Sequence, residues 1–138
     1  MIVDHICFAV KDLQSGIENW EKAFNYRQMT EVVSNTRQMV KLVFLSKENS
    51  ITVKLIEPFE ENESLSKFVR QGGGFHHLCF QCANIEEQMK ELKSRGLVTL
   101  VPPQPGEAFE NESIAFMLTK FGINLELIDT DKKAKRIT

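Results

Sequence analysis

The segment His5-Ile6-Cys7-Phe8 recurs as His77-Leu78-Cys79-Phe80, and one shift of 72 residues carries the first onto the second. The same shift lays Asp12-Leu13 on Asn84-Ile85, Ile17 on Met89 and Trp20 on Leu92. It also lays Val43-Phe44-Leu45 on Ala115-Phe116-Met117, and Val53-Lys54-Leu55-Ile56-Glu57 on Leu125-Glu126-Leu127-Ile128-Asp129. Short apolar matches arise by chance, but one register held over five segments without an insertion marks an internal repeat. Such a chain folds one supersecondary unit twice and buries the two copies against each other.

Each copy reads as βαβββ. Residues 3–10 and 75–82 are rich in β-branched and aromatic residues and read as strands. A helix follows each. In the first, Asp12 is the N-cap, and Leu13, Ile17, Trp20 and Phe24 form an apolar stripe at helical spacing. In the second, Asn84 caps, with Glu87 three residues on. Ile85, Met89 and Leu92 form the stripe, and Gly96 suits the left-handed position past the helix end. Three strands are expected after each helix, near 28–33, 38–46 and 51–57, and near 97–101, 113–118 and 123–129. The fold class is therefore α+β, with two βαβββ modules in tandem forming a cupped mixed sheet. Residues 1–138 are expected to make a single domain, with module one at 1–58 and module two at 75–129. The linker, 59–74, carries a short helix with Leu65, Phe68 and Val69 packing inward. Its Gly72-Gly73-Gly74 lacks the Lys-Ser/Thr of a phosphate loop and reads as a hinge. The tail, 130–138, is mostly charged and is expected to fray.

Charge narrows the function. Lys plus Arg is 17 and Asp plus Glu is 19, a net −2. A dedicated nucleic-acid binder needs clustered positive charge to displace phosphate counterions, so none is expected as a partner. No apolar run approaches the roughly 20 residues of a membrane helix, so no membrane partner is expected either. The N-terminal MIVDHICFAV has no basic stretch and no small-residue cleavage site, and the expected compartment is the cytoplasm. Three cysteines (Cys7, Cys79, Cys82) are not a disulfide framework.

The repeat itself nominates a site. Around a pseudo-twofold axis His5 pairs with His77, and Lys54 with Glu126. Alternation puts His5, Cys7 and Ala9 on one face of the first strand, and His77, Cys79 and Gln81 on the matching face of its copy. His76 points to the opposite face and is the weaker candidate. Lys54 and Glu126 each interrupt an apolar strand, where a charge needs a partner, a ligand or water. Two imidazoles and one carboxylate suit a divalent transition metal, which makes His5, His77 and Glu126 the candidate ligands. Cys7 and Cys79 share the inward face and are candidates to line the site, small core thiols being the other reading. The loop from Pro102 to Glu112, with Phe109 and Asn111, is placed to close over the cup and touch a ligand.

These residues also carry a resemblance. The runs from His5 to Leu13, Lys54 to Pro58, Gly74 to Phe80 and Asn124 to Ile128 resemble the vicinal oxygen chelate superfamily of glyoxalases, bleomycin-resistance proteins and extradiol dioxygenases. Within it the likeness is greatest to methylmalonyl-CoA epimerase and its glyoxalase-like relatives. The resemblance implies the vicinal oxygen chelate fold and four metal ligands at His5, position 54, His77 and Glu126. The epimerase pattern has Glu or Gln at position 54, where this chain has Lys54. It also implies a homodimer and a small acyl or thioester ligand.

Lys54 changes the charge balance. Two neutral imidazoles, Glu126 and a divalent ion (Co, Ni, Zn, Mn or Fe) carry +1, and a protonated Lys54 makes it +2. Like charges about 4 Å apart cost roughly 4 kcal/mol per unit pair at an effective dielectric near 20. Lys54 can pair with Glu126 in place of the metal, lose its proton, or reach out to water or an anionic ligand. With metal, the expected function is an isomerase, epimerase or lyase that stabilises an enolate, with Glu126 or Lys54 as the base. Without it, the expectation is a small-molecule-binding protein like the bleomycin-resistance relatives. An extradiol-type dioxygenase using the His5–His77–Glu126 triad for iron is the third alternative.

Overall fold

The computed structural model of the chain describes residues 1–137. Strand β1 (Ile2–Ala9) leads into helix α1 (Leu13–Phe24), and strands β2 (Arg27–Gln28), β3 (Val33–Asn35), β4 (Val40–Ser46) and β5 (Thr52–Pro58) follow. Helix α2 (Glu63–Arg70) bridges to β6 (Gly74–Gln81) and α3 (Ile85–Ser94). The chain ends in β7 (Val98–Gly106), a 3₁₀ turn (Glu107–Phe109), β8 (Glu112–Leu118) and β9 (Asn124–Ile128). Among the described residues these strands form one mixed sheet in the order β2-β4-β5-β1-β6-β9-β8-β7, with β3 paired to β4. The expected α+β class is what the chain adopts, with the βαβββ order in the second module and one extra short strand in the first.

Pairing follows the repeat strand by strand. β1 runs parallel to β5 with Cys7 opposite Lys54, and β6 runs parallel to β9 with Cys79 opposite Glu126. Val43 faces Leu55 in module one, as Ala115 faces Leu127 in module two. The modules join where β1 and β6 pair antiparallel, Cys7 opposite His77 and His5 opposite Cys79. Ile6 lies opposite its own repeat partner Leu78, so the pseudo-twofold axis passes through that pair.

Both helices start as their sequences require. Asp12 accepts from the Ser15 N–H, and Asn84 from the Glu87 N–H. A carboxylate from the last strand of each module completes the cap: Glu57 accepts from the Leu13 N–H, and Asp129 from the Ile85 N–H. Leu13 and Ile17 are buried, Trp20 packs beside them, and Phe24 is 48% exposed. In α3, Ile85, Met89 and Leu92 are all buried. Leu65 and Val69 of α2 are buried, and Phe68 packs against the same cluster.

Several expectations need correction. The strand expected at 28–33 is two short strands, because the chain bends through Met29 and Thr30, which donate to the Phe44 carbonyl. The loop expected at Pro102–Glu112 is mostly strand: β7 extends to Gly106 through three prolines. It pairs only with β8, at the sheet edge, where a missing N–H costs no ladder bond. The tail expected to fray, 130–138, packs instead over its described residues, and Thr138 lies outside them. Lys133 is buried, the Ala134 N–H donates to the Ala108 carbonyl, and the Ile137 N–H donates to the Met29 carbonyl.

Candidate active site

Glu126 is the meeting point of the cup. It is buried on β9, and one of its oxygens, Oε1, lies 3.1 Å from His77 Nε2, 3.2 Å from His5 Nε2 and 3.8 Å from Lys54 Nζ. All four side chains are 5% exposed or less. The parallel pairs β1–β5 and β6–β9 set Lys54 and Glu126 beside the two central strands, from which the histidines project. The four residues nominated by the repeat therefore converge. Each histidine, Lys54 and Glu126 comes from a different strand, so the constellation depends on the whole central sheet.

The electrostatics are settled by pairing. Burial opposes charge on Glu126, but Lys54 and then the two imidazoles hold its carboxyl well below the usual carboxylate range. Burial likewise opposes charge on Lys54, and the Glu126 carboxylate outweighs it, so the ammonium is favoured beyond its ordinary value. The ammonium sits 5.6 Å from the Phe109 ring centroid and 5.8 Å from that of Phe44, an aromatic cradle for a buried cation. Burial pushes the His77 imidazole down to about 3, against the pull of Glu126, so His77 is neutral.

Each histidine is held from behind. Asp4 Oδ2 lies 2.7 Å from His5 Nδ1. The neighbouring lysine and the imidazole keep that carboxyl below its ordinary value although burial opposes them. An ionised carboxylate only accepts, so His5 Nδ1 carries the hydrogen, and in the uncharged tautomer this fixes, the lone pair of Nε2 faces the cup. His5 Nε2 has no hydrogen-bond partner although it faces Glu126 Oε1, so in the uncharged ring two acceptors oppose each other there. A cation or proton between them removes the conflict. His76 Nδ1 lies 2.7 Å from His77 Nδ1. The expectation that His76 stands apart is therefore corrected: its Cβ leaves the opposite face, yet its ring meets His77 edge-on and lines the cavity.

A cavity of about 540 Å³ opens onto these groups. Lys54, His76, His77 and Glu126 line it, with Phe109, Phe116 and Phe68 as apolar walls and Asn35, Arg37 and Gln38 among its polar residues. His5 sits behind this lining, fully buried. Phe109 is thus in the cavity wall as expected, but Asn111 is not. It is exposed, turns the chain in the left-handed conformation and lines a separate shallow hollow. Cys7 and Cys79 are packed into the core and are not part of the cavity lining. Burial raises the Cys7 thiol to about 12 and pushes Cys79 well up, which leaves both as inert thiols. All three cysteines are free.

The donor set fits a divalent metal. His5, His77 and Glu126 each offer a ligand atom, the three lying within 4.8 Å of one another, and the His5 lone pair is unmatched. Asp4 behind His5 is the kind of carboxylate that orients a metal-bound imidazole. Sequence reasoning passed over Asp4 and Lys133 and ranked His76 below His77. The only trace of Asp4 was its place next to His5, and a charged residue at a strand start reads as solvent-facing.

Residues 4–116 match the model of the glyoxalase/bleomycin resistance protein/dioxygenase superfamily. The mitochondrial methylmalonyl-CoA epimerase of Dictyostelium discoideum is 24% identical over 133 residues, 95% of this chain and 78% of the relative. Among solved structures, the methylmalonyl-CoA epimerase of Mycobacterium tuberculosis has a TM-score of 0.78 and 26% identity, covering 92% of this chain and 86% of its own. A variant of the Streptomyces coelicolor methylmalonyl-CoA epimerase, in complex with 2-nitronate-propionyl-CoA, has a TM-score of 0.81 at 23% identity. It covers 95% of this chain and 98% of its own, and that likeness is one of fold. No helix among the described residues is long and apolar enough to cross a membrane.

Proposed function

Since the chain belongs to the glyoxalase/bleomycin resistance protein/dioxygenase superfamily, we propose that it is an isomerase- or epimerase-type enzyme. It would move a proton at the carbon next to the carbonyl of a small acyl or thioester ligand. The observation that carries this reading is a buried, ionised Glu126 facing a buried ammonium inside a ligand-sized cavity. The epimerase relatives, named for methylmalonyl-CoA, support a thioester. A cavity of about 540 Å³ suits its acyl end, with the bulk of the carrier outside.

The pairing of the two charged residues supports a different role for each in this reading. Lys54 is held protonated and so is no base. It is the group that meets negative charge on the ligand's oxygen as the enolate develops. Glu126 is the base. Lys54 is the foremost influence holding its proton affinity down, while burial raises it. When Lys54 turns toward the ligand oxygen, Glu126 loses that restraint and becomes more basic at the moment a proton is to be taken. His76 and His77, in contact through their Nδ1 atoms and both lining the cavity, could pass a proton between them in this reading. His5, His77 and Glu126 would hold a divalent metal, which when bound supplies Lewis-acid polarisation of a ligand carbonyl.

The test is exchange of the ligand's α-proton for deuterium in heavy water, followed by NMR on methylmalonyl-, propionyl- and acetyl-CoA. Exchange above the buffer rate, abolished in Glu126→Gln and cut at least about a hundredfold in Lys54→Met, is expected; removing a group that stabilises a developing oxyanion costs on this order. A second reading is a metal-free small-molecule-binding protein. It is favoured by the Lys54–Glu126 pair, which neutralises the cup without an ion. Saturable thioester binding with no exchange in any protein would establish that reading instead.

A further inference from the structure

The C-terminal tail enters the site from behind. Lys133 is only 8% exposed, and its Nζ lies 3.2 Å from both oxygens of Asp4 and 5.2 Å from the Phe44 ring centroid. Phe44 in turn stands edge-on to His5, with ring centroids 5.2 Å apart. Backbone bonds sew the tail down on both sides of Lys133. The Ala134 N–H donates to Ala108 beside Phe109, the Glu31 N–H donates to the Lys135 carbonyl, and the Ile137 N–H donates to Met29. An ammonium is therefore inserted under the carboxylate that fixes His5, and the pieces that hold it border the cup.

We infer that Lys133 is a positioning residue for the site: it anchors Asp4, and through Asp4 it fixes the tautomer and direction of His5. This rests on reading His5, His77 and Glu126 as the functional set. The physical reasoning is direct. Asp4 on its own is a short side chain at the start of a strand, free to turn to water. Two contacts from Lys133 hold both of its oxygens, so the oxygen facing His5 Nδ1 stays in place. That oxygen keeps the hydrogen on Nδ1 and the lone pair of Nε2 in the cup. The lysine's ammonium also lies over the Phe44 ring, which stands edge-on to His5, so the same residue borders both groups packed against that imidazole.

The experiment uses the full chain labelled with ¹⁵N-histidine and free of metal. Long-range ¹H–¹⁵N spectra report which nitrogen of each imidazole carries the hydrogen. The wild type is expected to show His5 protonated at Nδ1. Lys133→Met, which keeps the stem and removes the charge, is expected to show a mixture of tautomers at His5 alone. Its affinity for Co(II) is expected to fall by about ten- to a hundredfold, the usual effect of losing a partner behind a metal ligand. Lys133→Arg is expected to restore the wild-type spectrum and bind Co(II) within about threefold of wild type. Asp4→Asn, which leaves the tail lysine in place, is the second variant and is expected to shift the His5 tautomer in the same way. An unchanged His5 spectrum in Lys133→Met, or in Asp4→Asn should the first variant fail to fold, overturns the inference. If the wild type takes up no Co(II), the metal reading of the cup fails, while the tautomer comparison still decides the role of Lys133.

Discussion

Lys54 and Glu126 are repeat partners of opposite charge, and the cup's chemistry turns on their meeting across the axis. Lys54 competes with any cation for the same carboxylate oxygen. Lys54→Gln removes a like charge beside the ion and supplies a neutral oxygen donor in its place. A titration followed by Co(II) absorbance is expected to show at least about tenfold tighter binding, since 1.4 kcal/mol is worth a factor of ten and one like charge in this geometry costs more. Equal or weaker binding would mean that Lys54 already stands clear of the ion. At this scale the sequence was informative where the repeat spoke. His5, His77, Lys54 and Glu126 were legible because two copies of a strand cannot both carry a buried polar residue without the fold placing it deliberately. Asp4, His76 and Lys133 were not legible, because their roles depend on partners far away in the chain or on ring rotation, and neither leaves a periodic trace. Asn111 was misplaced for the converse reason: a turn residue beside a cavity wall looks like a ligand contact until the turn is seen.

The starts of the two repeat helices were legible to the residue, since they are fixed by local chemistry. Asp12→Ala and Asn84→Ala each remove a side-chain acceptor from an exposed helix start. Each is expected to cost about 1 kcal/mol in urea unfolding. A change of the same size in both would show that the two caps are energetic equivalents as well as sequence equivalents. The hinge gives a stronger prediction. Gly73 has φ +64, and a Cβ there would lie 2.5 Å from the Ala9 carbonyl oxygen, where β1 and β6 meet. Gly73→Ala combines left-handed strain of about 1–2 kcal/mol with a backbone clash. It is expected to lower stability by at least about 2 kcal/mol, and a neutral result would show that the hinge yields freely. The strands were less legible than the helices. The strand expected near 97–101 continues through three prolines that read as a loop until its position at the sheet edge is known. That position is a property of the topology and not of the segment.

On the scale of the whole molecule, the repeat fixes the sheet and the sheet fixes the site. The axis through Ile6 and Leu78 places the halves so that the inward faces of four strands share one hollow. The packed tail was invisible to a reading by composition, because Lys133 looks like any other lysine in a charged run. Burying so many titratable groups makes the fold sensitive to acid. His77 is held neutral down to about 3, whereas an unfolded histidine takes up a proton near 6.5, so stability falls as the pH drops below that value. Glu126 and Asp4 are held below their ordinary values, so their contribution is present above the ordinary carboxylate range and is also lost toward acid. All three act in the same direction. Urea unfolding of metal-free protein is expected to show about 2 kcal/mol less stability at pH 5 than at pH 7, and His77→Gln is expected to flatten that slope. A slope unchanged by His77→Gln would place the acid sensitivity elsewhere.

The most direct test is anomalous diffraction from a crystal of the full chain soaked in Co(II). A single strong peak is predicted within bonding distance of His5 Nε2, His77 Nε2 and a Glu126 oxygen, with Lys54 Nζ turned away from that oxygen toward the cavity. No peak in the cup, with Lys54 still paired to Glu126, would contradict a metal-assisted site and leave a neutral binding hollow in its place.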